Sequence, residues 1–535
     1  MGIPSYFSYI VKNHANIIKK LENSTIQVNN LYLDCNSIIY DAVRNIDFTN
    51  LVESDVDSII REVFIKIDEL IHYLKPNKNV FIAFDGVAPV AKLEQQRSRR
   101  YKSLYQNKIS KSIFKSKNTD PWNTTAITPG TTFMKKLNEK IILRYANNNN
   151  NKYNLEKIIV SSSNEYGEGE HKLFKYIRDF PIEHQNINTI IYGLDADLIM
   201  LSINHLPIAS NIFLFRETPE FIKSINPELE PNASYLLDIP ELAKTILIDM
   251  NNGEELTSEQ QKNRVYDYIF LCFFLGNDFM PHFPSVNIRT GGINKMLNAY
   301  KATIGGTKDN LTDGKKIIWK NVRKIVQWLA DQEELNFQNE TKKRDRQEKI
   351  KLSDETPEDK YKKFDSIPLY DRSLEKYINP FKPSWQERYY KSLFNLEINE
   401  IRRKQICTNY LEGLEWTMKY YTSGCPDWRW CYNHNYPPLF CDLIHYIPYF
   451  DTEFIQDKTP APVEDLVQLC YVLPRQSLQF LPEKLYNNLL KEHNDWYNMD
   501  CDFVWAYCKY FWESHVNLPN ININELEEFV KKNIL

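Results

Sequence analysis

No stretch of about 18 consecutive apolar residues occurs in the chain, so a membrane-spanning helix is not expected. The start, Met1 to Ile10, lacks the basic segment and apolar run of a secretory signal. Tyr6 breaks the myristoylation pattern that Gly2 would otherwise begin. There is no CxxC pair, and the nine cysteines are odd in number, which suits reduced and mostly buried thiols better than a disulfide framework. One group, Cys425, Cys431, His434 and Cys441, has spacings that fit no common zinc pattern, and whether it binds metal stays open. These absences place the protein in the cytoplasm, with the nucleus as the alternative. A basic excess is lacking as well. The net charge is −4, so a nucleic-acid partner has to be sought in local clusters rather than in the total.

What is present is the composition of a soluble globular protein, 42% hydrophobic and 25% charged. At 535 residues the chain exceeds what one core fills, and two or more domains are expected. No internal repeat is visible. The first 215 residues repeat one grammar: a short apolar run, a polar turn with an acid, then a helical stretch. The runs are Leu31–Leu33, Val80–Phe84, Ile158–Val160, Ile190–Leu194 and Ile212–Phe215. Short, continuously apolar runs are strands buried on both faces, and helix-length connections between them imply a mostly parallel α/β sheet with flanking helices. A more helical region follows. Between Asn336 and Arg372 charge replaces large apolar residues, which reads as a solvated helix end or a disordered linker. From Tyr377 the chain is rich in Trp, Tyr and Pro, as in a second, mostly helical region packed on the first. The expected division is 1–335, a charged linker 336–372, and 373–535.

Acids stand at or just after the ends of these runs. Asp34 follows Leu31-Tyr32-Leu33, and Asp85 follows Phe81-Ile82-Ala83-Phe84. Glu168 and Glu170 lie in Gly167-Glu168-Gly169-Glu170-His171, Asp195 and Asp197 in Gly193-Leu194-Asp195-Ala196-Asp197, and Asp278 in Gly276-Asn277-Asp278-Phe279. Strand carboxyl ends of a parallel sheet share one edge, the edge at which open α/β folds bind ligands. An i, i+2 pair in extended chain would send both acids to one side. Seven converging carboxylates would repel unless cations entered, and all-oxygen ligands suit Mg²⁺, with Mn²⁺ able to substitute. Two such ions roughly 4 Å apart activate a water and stabilise the leaving oxygen in phosphodiester cleavage. The competing reading makes each acid a helix N-cap after a strand. Caps do not call for paired acids between glycines, so the set favours metal.

Beyond Asp85-Gly86-Val87-Ala88-Pro89, Lys92, Gln96, Arg99 and Arg100 fall on one helical face. A solvated charged surface would explain the pattern alone. Beside an acidic site, however, these donors suit an anion, and a terminal phosphate fits guanidinium and ammonium donors.

Taken in order, these motifs resemble the XRN family of 5′→3′ exoribonucleases over nearly the whole chain. The resemblance rests on Met1-Gly2-Ile3-Pro4, Leu33-Asp34-Cys35-Asn36, Asp85-Gly86-Val87-Ala88-Pro89 with the basic helix, Gly167 to Lys172, Gly193 to Asp197 and Phe274 to His282. Tyr410 to Leu414, Gly424-Cys425-Pro426 and Trp512-Glu513-Ser514-His515 extend it. It implies a nuclease domain related to flap endonucleases, with a second conserved region enclosing the active site. It further implies two Mg²⁺ ions on Asp34, Asp85, Glu168, Glu170, Asp195, Asp197 and Asp278. Lys92, Gln96, Arg99 and Arg100 would form a pocket for the 5′ monophosphate of single-stranded RNA, excluding caps and triphosphates. Hydrolysis to mononucleotides in RNA decay, by a monomer with no membrane attachment, is the expected activity.

Three departures from the family pattern stand out. Tyr40 occupies the usual position of a histidine and is expected to stack on the terminal base, as the imidazole does. Trp428 or Trp430 is the candidate for the other side of the stack, with core packing as the alternative. Ser8 and Tyr9 replace basic and Trp residues, and the chain resembles the catalytic core without a long C-terminal extension. A flap-endonuclease-like DNA nuclease and an inactive RNA-binding scaffold are the competing functions. The first lacks an evident helical arch and helix-hairpin-helix segment, and the second is disfavoured by the presence of all seven acids.

Overall fold

The computed structural model describes residues 2–23, 26–48, 54–115, 122–146, 150–456, 461–497 and 501–534, so Met1 of the opening motif lies outside the described residues. Strands β1 (Ile18–Lys20), β2 (Asn30–Asp34), β3 (Asn79–Ala83), β4 (Lys157–Ser161), β5 (Asn188–Tyr192), β6 (Asn211–Glu217) and β7 (Ser234–Asp238) form one sheet in the order β1-β7-β6-β5-β2-β3-β4. The five expected apolar runs are β2 to β6, and all pair in parallel. β7 and β1 add antiparallel at one edge and were not foreseen, because Ile18-Lys19-Lys20 is too short and polar to announce a strand.

Alternation along the central strands splits two cores. Leu31, Leu33, Val80, Ile82, Ile190 and Tyr192 pack with Ile38, Ile60, Ile67, Leu137 and Ile141 on one face. Tyr32, Phe81, Ile191 and Leu214 pack with Leu173, Ile199 and Ile269 on the other. Both faces being covered explains why β2 and β3 are buried at every position. The chain runs from β2 to β3 to β4 in one direction, then returns to place β5 on the opposite side of β2. The carboxyl ends of β2 and β5 therefore flank a topological switch point, where a crevice opens.

The later region belongs to the same body. The helix Glu400–Thr422 buries Leu411, Leu414, Trp416, Tyr420 and Tyr421 in the second of these cores. Val467, Leu469 and Val472 pack on Val87, Ala88 and Leu93 beside the basic helix.

The expected linker needs correction. Residues 336–372 are neither disordered nor solvated throughout, and the boundary at 335 falls inside the helix Glu333–Glu348. Two further helices, Pro357–Asp365 and Ile367–Tyr370, follow. Charge misleads here because part of it is paired in the interior. Arg344 is buried and donates to both Glu375 oxygens at 2.8 and 2.7 Å and to the carbonyls of Pro368 and Cys508. Arg372 donates to the same carboxylate at 2.7 Å. Glu375→Ala is expected to leave two buried guanidiniums without their shared partner and to lower stability by about 3–5 kcal/mol, read by denaturant unfolding. A loss below about 1 kcal/mol would return this segment to a surface role.

Candidate active site

β2 ends on Asp34, and two residues beyond the end of β3 comes Asp85. The Asn36 amide donates to Asp85 Oδ2, while the Asp85 N–H donates to Asn36 Oδ1 at 3.1 Å. Gly169 N–H donates to Asp85 Oδ1 at 2.6 Å. Gly169 also has to be small: a Cβ there would lie 2.7 Å from Asp34 Oδ1 and 3.4 Å from Asp85 Oδ1. Lys172 secures the surrounding backbone by donating to the carbonyls of Phe84 and Ser162 at 2.7 and 2.8 Å.

The paired acids are not extended-chain pairs. Glu168 immediately precedes the helix Gly169–Asp179, Glu170 lies in its first turn, and Asp197 opens the helix Asp197–His205. Glu168 occupies the N-cap position but makes no side-chain cap. Its carboxylate instead accepts from Tyr420 Oη at 2.9 Å and pairs with Lys92 Nζ at 2.5 Å. Capping is therefore not its role. Asp197 Oδ1 accepts from Tyr421 Oη at 2.6 Å.

The seven acids share one electrostatic neighbourhood. Burial, then Asp85 and Asp195, push the Asp34 carboxyl well up. Burial followed by Glu168 raises both Asp85 and Glu170. Burial and then Asp278 push Asp197 up to about 6. Asp195 and Asp278 run the other way: burial opposes their charge, but neighbouring positive charge, Lys92 included, together holds both carboxyls below the usual range, with Lys92 Nζ 2.6 Å from Asp278. Carboxyls pushed toward their protonated forms, as those of Asp34, Asp85, Glu170 and Asp197 are, favour a divalent cation in place of the protons. Asp34 Oδ1 is buried with no hydrogen-bond partner among the described residues, as a ligand oxygen would be. The residues present thus fit a divalent metal.

Glu168, Glu170 and His171 bring their ligand atoms within 4.8 Å of one another, which no other group of three or more does among the described residues. The Cys425, Cys431, His434 and Cys441 side chains form no such group among the described residues, and His434 packs on Phe394 and Tyr432.

The basic helix, Val90–Phe114, is far longer than the motif alone suggested. Its four expected residues divide. Lys92 is buried among the acids, bridging Glu168 and Asp278. Gln96 is half-buried, and Arg99 is exposed. Arg100 donates to Thr128 Oγ1 at 2.6 Å. Burial pushes its guanidinium down to about 10, against an opposing influence from Tyr40. Tyr40 is half-buried at the rim of the Leu31 core.

The two tryptophans also divide. Trp430 is buried, stacked on Trp416 at 5.2 Å, with Nε1 3.3 Å from Glu412, which is the packing alternative rather than an open stacking face. Trp428 is half-buried near Tyr166, and its carbonyl accepts from Val90 N–H at 3.0 Å. Sequence reasoning missed Tyr420, Tyr421 and His171, which stacks on Tyr420 at 3.8 Å. His171, directly after Glu170, and Asn36, two residues from Asp34, carried a local signal; the tyrosines did not.

A mostly parallel sheet with buried carboxylates at its switch point, closed over by a helical region, defines the class as an α/β nuclease domain of the acidic-cluster type. Residues 1–218 match the family described as XRN 5′-3′ exonuclease N-terminus, and residues 260–372 and 370–533 match the Xrn1 helical domain. The chain belongs to the XRN family. It is 26% identical to a 5′-3′ exoribonuclease 2 homolog of Drosophila melanogaster, over 98% of this chain and 70% of that protein. It is 27% identical to 5′-3′ exoribonuclease 1 of Saccharomyces cerevisiae, over 90% of this chain but only 40% of that one. With 5′-3′ exoribonuclease 2 of Arabidopsis thaliana it shares 26% identity, over 99% and 67%. Among solved structures, the catalytic core of Rad2 in complex with DNA aligns with a TM-score of 0.32 and 14% identity, covering 69% of this chain and 84% of that chain. That likeness is too loose to bear on function. No helix among the described residues is long and apolar enough to cross a membrane.

Because a Gly169 Cβ would occupy the space between Asp34 and Asp85, Gly169→Ala is expected to weaken Mn²⁺ or Mg²⁺ binding by about tenfold or more with the fold retained. Titration calorimetry on substrate-free protein measures this. Unchanged affinity would remove these two acids from the metal set.

Proposed function

We propose that this protein is a divalent-metal-dependent 5′→3′ exoribonuclease that hydrolyses single-stranded RNA bearing a 5′ monophosphate to mononucleotides. It acts as a monomer in RNA decay, in the cytoplasm or the nucleus. The observation that supports this most is that one helix serves both halves of the reaction. Val90–Phe114 sends Lys92 into the acid cluster and carries Gln96, Arg99 and Arg100 one to two turns further along the same helix. Family membership supports the same reading, since the relatives above are named 5′-3′ exoribonucleases.

In this reading the acids hold two Mg²⁺ ions, for which Mn²⁺ can substitute. Bound there, divalent cations would lower the pKa of a water and stabilise charge on the leaving oxygen. Tyr420 and Tyr421 fix the orientation of Glu168 and Asp197 through their hydroxyls. Gln96, Arg99 and Arg100 receive the 5′ phosphate, with Lys92 between them and the acids. The water oxygen bonds to the phosphorus joining the first two nucleotides, and the 3′ oxygen of the first departs with a proton. The phosphate stays on the second nucleotide, so each cycle regenerates the end group that the basic helix recognises.

Asp195→Asn and Glu168→Gln are expected to abolish cleavage while the melting temperature holds, and wild-type rates at limiting Mg²⁺ would sink the assignment. Arg100→Ala should lose one to two decades of preference for 5′-monophosphate over 5′-hydroxyl RNA, from about 1.5–3 kcal/mol per charged contact. The deciding substrates are matched RNA and DNA carrying monophosphate, triphosphate or hydroxyl ends, with Mg²⁺ or chelator. Preferential cleavage of DNA flaps would establish the flap-endonuclease reading instead. Tyr40 follows Asp34 by six residues and is half-buried at the rim of the Leu31 core, which supports stacking on the terminal base. Tyr40→Ala is expected to slow degradation by one to two decades, from about 1–3 kcal/mol of stacking, with Tyr40→His near wild type. A drop in melting temperature with unchanged specific activity would make Tyr40 a packing residue.

A further inference from the structure

We infer that His171 adds an imidazole ligand to the acid cluster, so that Glu168, Glu170 and His171 form a subsite for a first-row transition ion in preference to Mg²⁺. This rests on the metal-dependent reading above and goes beyond its all-carboxylate ligand set. Glu170 and His171 share the first turn of the helix Gly169–Asp179, and Glu168 stands immediately before it. Ligand atoms of the three residues lie within 4.8 Å of one another, so the ring presents a nitrogen to both carboxylates. His171 is only 9% exposed, and its Nδ1 is enclosed with no hydrogen-bond partner among the described residues. Buried polar atoms are ordinarily satisfied, so the ring keeps a nitrogen that no described group of the protein engages. The two Glu168 oxygens accept from Tyr420 and pair with Lys92, and each retains a second lone pair for a metal.

Two other roles for the ring fit less well. A counter-ion to the acids would have to be an imidazolium. Burial, followed by Arg178 and Lys92, presses His171 toward the neutral form instead, which is the form that ligates. Packing accounts for the ring but not for its nitrogens. It stacks on Tyr420 at 3.8 Å and meets Tyr421 edge-on at 6.0 Å, contacts that a phenylalanine would make without an orphaned polar atom. The stack also steadies the subsite, because the Tyr420 that holds the imidazole donates to Glu168 at 2.9 Å. The donor set then decides the ion. Carboxylates alone suit Mg²⁺, which sheds its waters reluctantly, whereas imidazole suits transition ions, whose affinity rises along the row from Mn²⁺. Mn²⁺ shares with Mg²⁺ a liking for carboxylates, which makes it the strictest probe of the nitrogen.

The test reads the bound metal and uses no RNA. Wild-type protein carrying a substoichiometric amount of Mn²⁺ is measured by pulsed electron paramagnetic resonance. A nitrogen-14 coupling is expected, replaced by a nitrogen-15 coupling when the histidines are isotopically labelled. His171→Phe, which keeps a ring against Tyr420, should remove that coupling. By titration calorimetry the same substitution should lower the preference for Mn²⁺ over Mg²⁺ by about tenfold, with Mg²⁺ affinity held within about twofold. Absence of histidine coupling in the wild-type protein overturns the inference, whatever the variant does. Equal losses for the two ions also overturn it, and make His171 a positioning residue that acts through Tyr420. Failure of the exoribonuclease reading shows separately, as no cleavage of 5′-phosphorylated RNA with either ion while the nitrogen coupling persists.

Discussion

Carboxylates gathered at the carboxyl edge of β2, β3 and β5 repel one another where little water reaches to screen them, and much of the surrounding structure answers that repulsion. Lys92 enters the cluster from the basic helix and bridges Glu168 and Asp278. Asn36, Gly169, Tyr420 and Tyr421 donate hydrogen bonds that fix individual oxygens. Even so, Asp34, Asp85, Glu170 and Asp197 remain displaced toward their protonated forms. A site so short of positive charge is poised to take cations, and its affinity for them follows from burial as much as from ligand count.

This constraint also explains the second region. Carboxylates at an open sheet edge would be solvated, and their ordinary acidity would return. The helix Glu400–Thr422 prevents this by packing Trp416, Tyr420 and Tyr421 over the switch point, with Phe279 against Trp416 and Tyr420. The tyrosines present a hydroxyl where the acids need a donor and a ring where the core needs bulk. Closure and hydrogen bonding are thus supplied by the same residues. The charged segment 336–372 participates through Arg344, whose pairing with Glu375 ties it to the chain that follows.

The basic helix divides the site into functional sides. Its first turn sends Lys92 into the acids, one flank carries the exposed Arg99 and the half-buried Arg100, and the other lines a cavity of about 900 Å³. Arg97, within the same basic run, is buried and donates to the carbonyls of Pro519 and Trp496. One amphipathic element therefore anchors the C-terminal segment, neutralises acids and presents cations.

The sequence by itself determined the five parallel strands, the acids at their ends and the basic face, because each is a local pattern. Apolar runs of strand length, an acid at the turn and a charge repeat of helical period are all written within a few residues. The motif order was enough to name the family. Only the tertiary structure decided which oxygens meet which donors. Tyr420 and Tyr421 lie more than two hundred residues from Glu168 and Asp197, inside a helix whose aromatic content reads as core. Lys92 could be placed on the basic face but not aimed into the acids, since its direction depends on how the helix crosses the sheet edge. Trp428 and Trp430 are indistinguishable in sequence, and packing against Trp416 buried one of them. The charges of 336–372 misled because burial depends on a partner, and Glu375 comes into reach of Arg344 only when the chain folds back. Composition and period are properties of short segments, whereas desolvation and pairing are properties of the assembled interior.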